Sequence, residues 1–137
     1  MQTREEKIAR LMKYGGEGYT HIFKLDEEFP EVGLFGPDCI GADTGAGWEN
    51  LVRPVLAVMS KHGYKMGQLK AKFCILRVYC YAPAGVTDIA RAEVSAVIAA
   101  AEDISSRTCE YCGTPSNENP GLDMSGVRLC AACRSKR

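Results

Sequence analysis

Apolar side chains recur along this chain at two periods, and the switches between them mark its elements. Ile8, Leu11 and Met12 fall at helical spacing behind Thr3-Arg4-Glu5-Glu6, a Ser/Thr-x-x-Glu capping box, and Gly15-Gly16 follows them. This predicts a helix over about 4–14. From Tyr19 the pattern alternates, with Tyr19, His21, Phe23 and Leu25 on one side and Thr20, Ile22 and Lys24 on the other. Together with Glu31 to Phe35, beyond a turn at Asp26 to Pro30, it predicts strands within about 19–35. Leu51, Val55, Val58, Met59 and His62 return to one helical side, giving a helix at about 49–62. Pro54 belongs near a first turn, so the regular part is expected to begin within a residue or two of it.

Residues 68–81 alternate again. Leu69, Ala71, Phe73, Leu76, Val78 and Cys80 form one set, and the run predicts a hairpin turning near Phe73 to Ile75. Its outer face then carries Lys70, Lys72, Arg77, Tyr79 and Tyr81. Pro83-Ala84-Gly85 breaks the strand, and Thr87 or Asp88 caps a helix at about 88–106 whose stripe is Val94, Val97, Ile98, Ala101 and Ile104. Between these elements, residues 36–47 carry Gly36, Gly41, Gly45 and Gly47 with Asp38 and Asp43. They match neither a P-loop nor a dinucleotide fingerprint, and they place acids where phosphate would sit. A flexible surface loop is expected, with its acids available to a basic partner. The fold class is α+β: a small helix-hairpin-helix core (ααββα-like) over 1–106, followed by a separate module over 107–137.

That module carries the strongest motif. Cys109-Glu110-Tyr111-Cys112-Gly113 and Leu129-Cys130-Ala131-Ala132-Cys133 form two C-x2-C pairs, 17 residues apart. Each pair makes a tight knuckle, and four thiolates complete the tetrahedron of a structural zinc ion with no position open for substrate. Cys109, Cys112, Cys130 and Cys133 are therefore the predicted ligands of a structural Zn2+. Residues 113–129 offer little to bury beyond Leu122, Met124, Val127 and Leu129. Zinc binding, worth roughly 10–16 kcal/mol in finger peptides, replaces a core there. The remaining thiols, Cys39, Cys74 and Cys80, read as small buried hydrophobes. The charged start, Met1 to Lys7, does not resemble a secretory signal, so reduced thiols and a cytoplasmic location are expected.

Charge adds one feature. Lys and Arg number 17, as do Asp and Glu, so the formal net charge is zero. Yet residues 26–50 hold seven acids and no base, whereas residues 51–77 hold six bases and no acid. Such a split produces either internal pairing or oppositely charged faces. No apolar run is long enough to span a membrane. His21 and His62 read as packed residues, and no nucleophile-base constellation stands out, so an enzyme is not expected.

Two resemblances follow from these motifs. Cys109-Glu110-x-Cys112-Gly113 and Val127-Arg128-Leu129-Cys130-x-x-Cys133 resemble the treble-clef zinc finger of the DksA/TraR transcription factors. The long coiled coil of those proteins has no counterpart in this sequence, and polymerase binding does not carry over. Gly47-Trp48, Gln68-x-Lys70-x-Lys72-Phe73-x-x-Leu76-Arg77-x-Tyr79, the run from Ala101 to Pro115 and the closing cysteine pair are similar to a family of small zinc-finger proteins of phages and prophages. That family usually has two glycines where this chain has Cys74-Ile75. The resemblance implies a phage or mobile-element origin and an αββα-plus-zinc architecture, and it supplies no activity.

The expected function is binding of a host protein, as a regulator or inhibitor of a defence or transcription complex, through Trp48, Lys70, Lys72, Arg77 and Tyr79. The alternative is nucleic-acid binding through the same basic residues, the zinc module and the basic end Arg134, Lys136 and Arg137.

Overall fold

The computed structural model describes residues 2–15, 20–115 and 130–134. Helix α1 spans Arg4–Gly15, and the amide of Glu6 donates to Thr3 Oγ1 at 3.1 Å, which is half of the expected capping box. Helix α2 spans His21–Glu28 and runs into a 3-10 turn at Pro30–Val32.

The strands expected over 19–35 are therefore not formed. Ile22 and Leu25 have opposite parity, so a strand would send them to opposite faces, yet both are fully buried. A helix brings them onto one side, three residues apart, and tertiary burial overrides the short alternation. That side also holds His21 and Asp26, and Asp26 accepts from Arg4 Nη2 at 2.7 Å and so ties α2 to α1.

A second 3-10 turn, Ala46–Trp48, leads directly into helix α3, Glu49–Lys61. The helix thus begins a full turn before Pro54 and contains it. The proline removes the donor that the Asn50 carbonyl would otherwise receive, and burial of Val52, Val55, Leu56 and Met59 holds the helix through that gap.

Strands β1, Lys65–Lys72, and β2, Ile75–Tyr81, form a two-stranded antiparallel sheet in which Lys70 faces Arg77 and Leu69 faces Val78. A bulge lies between Met66 and Gln68. The two-residue turn is Phe73-Cys74, with φ of 54° and 65°. Such turns need the left-handed region at both central positions, normally Asn-Gly, and each non-glycine there costs about 1–2 kcal/mol. Cys74 is buried at the turn while Phe73 projects outward.

Helix α4, Asp88–Ser105, is capped by Thr87, whose side chain accepts from the Ala90 amide at 3.1 Å. Its buried side runs through Ala90, Val94, Ala101 and Ser105, and Ile104, expected in the stripe, is exposed. A short helix α5, Ala131–Arg134, holds the last cysteine.

Both outer edges of the hairpin are occupied. On β2, the Leu76 amide donates to Ser105 Oγ at 2.9 Å and the Val78 amide to Glu102 Oε2 at 3.2 Å, so α4 side chains cover that edge. On β1, Ile40 N donates to Gly67 O, Leu69 N to Gly41 O and Asp43 N to Leu69 O at 2.7–2.9 Å. The glycine-rich stretch expected as a flexible surface loop is in fact partly a third rung on the sheet. Its Cys39, Ala42 and Thr44 are buried, and Lys7 Nζ donates to the carbonyls of Gly36 and Cys39.

Candidate functional site

The chain turns tightly as it leaves α4. Cys109 N donates to Thr114 O and Gly113 N to Cys109 O, each at 2.9 Å, and Gly113 takes φ of 81°, a conformation that glycine adopts without a side-chain clash. This knuckle aims Cys109 and Cys112 at the pair from the last described segment. The sulfurs of Cys109, Cys112, Cys130 and Cys133 all lie within 4.8 Å of one another, with Cys112 and Cys130 3.7 Å apart. A tetrahedron of metal–sulfur bonds about 2.3 Å long separates its corners by about 3.8 Å. The cluster has the size and donor set of a four-sulfur metal site.

Its electrostatics are uneven. Thr114, through its hydroxyl and its amide, pulls the Cys112 thiol down to about 6, whereas burial and the neighbouring thiols push Cys133 up to about 12. A thiol at the exposed rim is thus ready to ionise, while the inner one requires a cation to hold its proton off. Burial raises the Cys39 and Cys80 thiols as well, and neither belongs to the cluster.

The knuckle is seated on the core by the glycine-rich stretch before α3. Gly47 N donates to Glu110 O at 2.7 Å, and Gly45 N donates to Glu110 Oε2 at 2.9 Å. Contact is close enough to exclude side chains: a Cβ on Gly47 would lie 2.3 Å from Cys109 O and 2.5 Å from Gly113 N, and one on Gly45 would lie 2.5 Å from Glu110 O. Trp48 completes the seat, its Nε1 donating to Thr108 O at 3.0 Å. Two signals for this arrangement were present in the sequence, the alternate glycines before the only tryptophan and the acid directly after Cys109. Neither indicates its partner without the fold.

Trp48 is consequently not a surface residue. It has no exposed area, and its expected place in a partner-binding face is a misassignment. The other four residues of that set do lie together. Lys70, Lys72, Arg77 and Tyr79 share the outer face of the hairpin with Tyr81, and Tyr79 and Tyr81 are 46% and 54% exposed. Lys70 Nζ stands 5.8 Å above the Tyr79 ring, and Lys72 Nζ 5.7 Å from the ring of Phe73 at the tip. The Tyr81 ring lies over the bulge, where a Cβ on Gly67 would be 2.9 Å from its edge. Among the described residues, the acid ion-paired with this face is Glu102, 3.8 Å from Arg77 Nη1.

Neither histidine belongs to the cysteine cluster. His21 is buried with Glu49 and Arg53 nearby, and burial lowers its pKa. His62 Nε2 lies 2.8 Å from Glu93 Oε2 on the surface between α3 and α4. Residues 116–129, with Leu122, Met124, Val127 and Leu129, and the basic residues Lys136 and Arg137 lie outside the described residues, as does the side chain of Arg134. No described helix is long and apolar enough to cross a membrane. Comparison with protein-family models, curated proteins and solved structures finds no match to this chain.

Proposed function

We propose that this chain is a non-catalytic binding protein in which a structural zinc ion locks the C-terminal knuckle to the core and the outer face of the hairpin docks an anionic partner. The observation that carries the reading is the gathering of Lys70, Lys72, Tyr79 and Tyr81 on one face, with Phe73 at its tip, while the four sulfurs gather elsewhere, inside 4.8 Å. Structural and contact chemistry are thus separated in space. Zinc is the metal of choice for four thiolates with no open position. Cys109, Cys112, Cys130 and Cys133 would hold it, and it supplies stability and no reaction step. The knuckle at 109–113 and the helical turn that carries Cys133 support a treble-clef form for this module.

Phage or mobile-element origin, with a cytoplasmic place of action, rests on the sequence resemblance. The host-protein reading retains its basic and tyrosine contacts, since tyrosine and arginine are the side chains that dominate protein interfaces. It loses Trp48 as an anchor.

Native mass spectrometry should find one zinc per chain, and none in Cys112→Ser. Capture of partners by the tagged, metal-loaded protein should drop at least tenfold in the Lys70→Glu/Lys72→Glu variant. Equal capture by that variant would remove the hairpin face from the function.

A further inference from the structure

The chemistry of the hairpin face narrows the partner further. Resting on the docking role above, we infer that the face binds a single-stranded nucleic acid, with bases stacked on Tyr79 and Tyr81 and phosphates held by Lys70, Lys72 and Arg77.

Three observations favour this occupant. The face alternates rings with cations: Tyr79 and Tyr81 follow one another at i, i+2 on β2, and Lys70 and Lys72 do the same on β1 beside them. A single strand offers the same alternation of π-faces and phosphates in one repeating unit, whereas a protein must bring its acids and its ring contacts from separate side chains. The rings are also exposed and held by their surroundings. Tyr81 lies over Gly67 at the bulge, and Tyr79 has the Lys70 ammonium above it. When a base takes that position, the ammonium can swing to the adjoining phosphate and keep its countercharge. Finally, the face is small. Strands of eight and seven residues give a platform about 25 Å long and about 10 Å wide, well under the roughly 800 Å² that each partner contributes to a standard protein interface. A platform of that size suits two or three nucleotides, as on the sheets of other single-strand binders.

Sequence preference is not implied. Stacking tolerates any base, and among the described residues the polar side chain on this face that is free of formal charge and aromatic character is Gln68, opposite Tyr79. The strand is bound for its backbone and its unpaired bases, so a duplex, whose bases are stacked on each other, should be a poor ligand.

The test uses the full zinc-loaded chain and fluorescein-labelled probes of twelve nucleotides, oligo(dT), oligo(U) and a DNA duplex, read by anisotropy. The expected result is binding to one or both single strands at least tenfold tighter than to duplex. Affinity should fall about 7- to 20-fold between 50 and 200 mM salt, the slope for two or three phosphates. Tyr79→Ala should weaken binding by about 5- to 150-fold, and Tyr79→Phe should retain it. Trp48 emission, unchanged in both variants, verifies folding. Preference between the DNA and RNA strands identifies the sugar.

No single-strand binding at 100 μM protein in 50 mM salt would overturn the inference, as would equal affinity for duplex or indifference to Tyr79→Ala. In the first case, nuclease-resistant capture of a protein that Lys70→Glu/Lys72→Glu abolishes would leave the docking role intact. Absence of both signals would remove that role too.

Discussion

The indole Nε1 of Trp48 donates to the main-chain carbonyl of Thr108, 60 positions away, at 3.0 Å. The chain's only tryptophan thus sits at the junction between the core and the first cysteine pair, immediately ahead of Cys109. Loss of the proposed metal should free the knuckle whose position this bond records. We expect chelation to shift Trp48 emission to longer wavelength. Amide exchange should also quicken at Gly45 and Gly47, which donate to the knuckle or lie directly against it. Unchanged emission in a chain verified to be metal-free would show that the core holds the knuckle without help.

Gly47→Ala tests the seat itself. The added methyl would stand 2.3 Å from a backbone oxygen and 2.5 Å from a backbone nitrogen, and neither can move aside as a flexible side chain would. Destabilisation of about 1–3 kcal/mol in urea unfolding is expected, the range for overpacking that requires backbone movement. Because docking and metal binding share the knuckle, zinc affinity should fall at least tenfold in the same variant. A change under 0.5 kcal/mol would mean that the contact relaxes freely.

At the hairpin tip, Phe73→Asn should stabilise the protein by about 1 kcal/mol. Asparagine tolerates the left-handed conformation that phenylalanine holds there at φ 54°, and the exposed ring contributes little burial. Thermal unfolding would show the gain as a rise of a few degrees. If the tip ring also contacts a bound strand, the same substitution lowers affinity for oligo(dT), and stability and binding move in opposite directions.

Acid sensitivity should come in part from His21. Its pKa is lowered, by burial first, with the Arg53 charge adding and the Glu49 charge opposing. The unfolded chain therefore binds a proton at higher pH than the folded chain. Stability is complete above the ordinary value of 6.5 and is lost as pH falls below it, toward the depressed folded value. His21→Leu should remove that slope while leaving stability at pH 7.5 unchanged or higher, because both ring nitrogens are buried without a hydrogen bond among the described residues. Denaturant titrations with excess zinc from pH 5 to 7.5 would measure it, and parallel curves for the two proteins would assign the acid response elsewhere.

Local chemistry was readable and long-range docking was not. The hydroxyls of Thr3 and Thr87 cap the helices they precede, and the C-x2-C pairs announce a four-sulfur cluster from spacing alone. The hairpin turn falls where alternation changes phase, even though Phe73-Cys74 carries none of the usual turn residues. What failed depended on contacts far along the chain. Ile22 and Leu25 are helical because both must enter the same core, and no window of a few residues records that requirement. Gly45 and Gly47 looked like loop flexibility because the knuckle that demands their bareness lies more than sixty residues later. Trp48 looked like a surface anchor for the same reason.

The covered edges of the hairpin determine how this protein can be recognised at all. A strand with free amides and carbonyls invites another chain to extend the sheet, a route open to wanted partners and to self-association alike. Here α4 occupies one border, through Ser105 and Glu102, and residues 40–43 occupy the other. On the docking role proposed above, a partner would therefore read side chains instead of joining the backbone ladder, and specificity would rest with the few rings and cations above the sheet. A change at those positions would then retarget the molecule without disturbing its architecture, and the two hairpin edges offer a second copy little free backbone to template on.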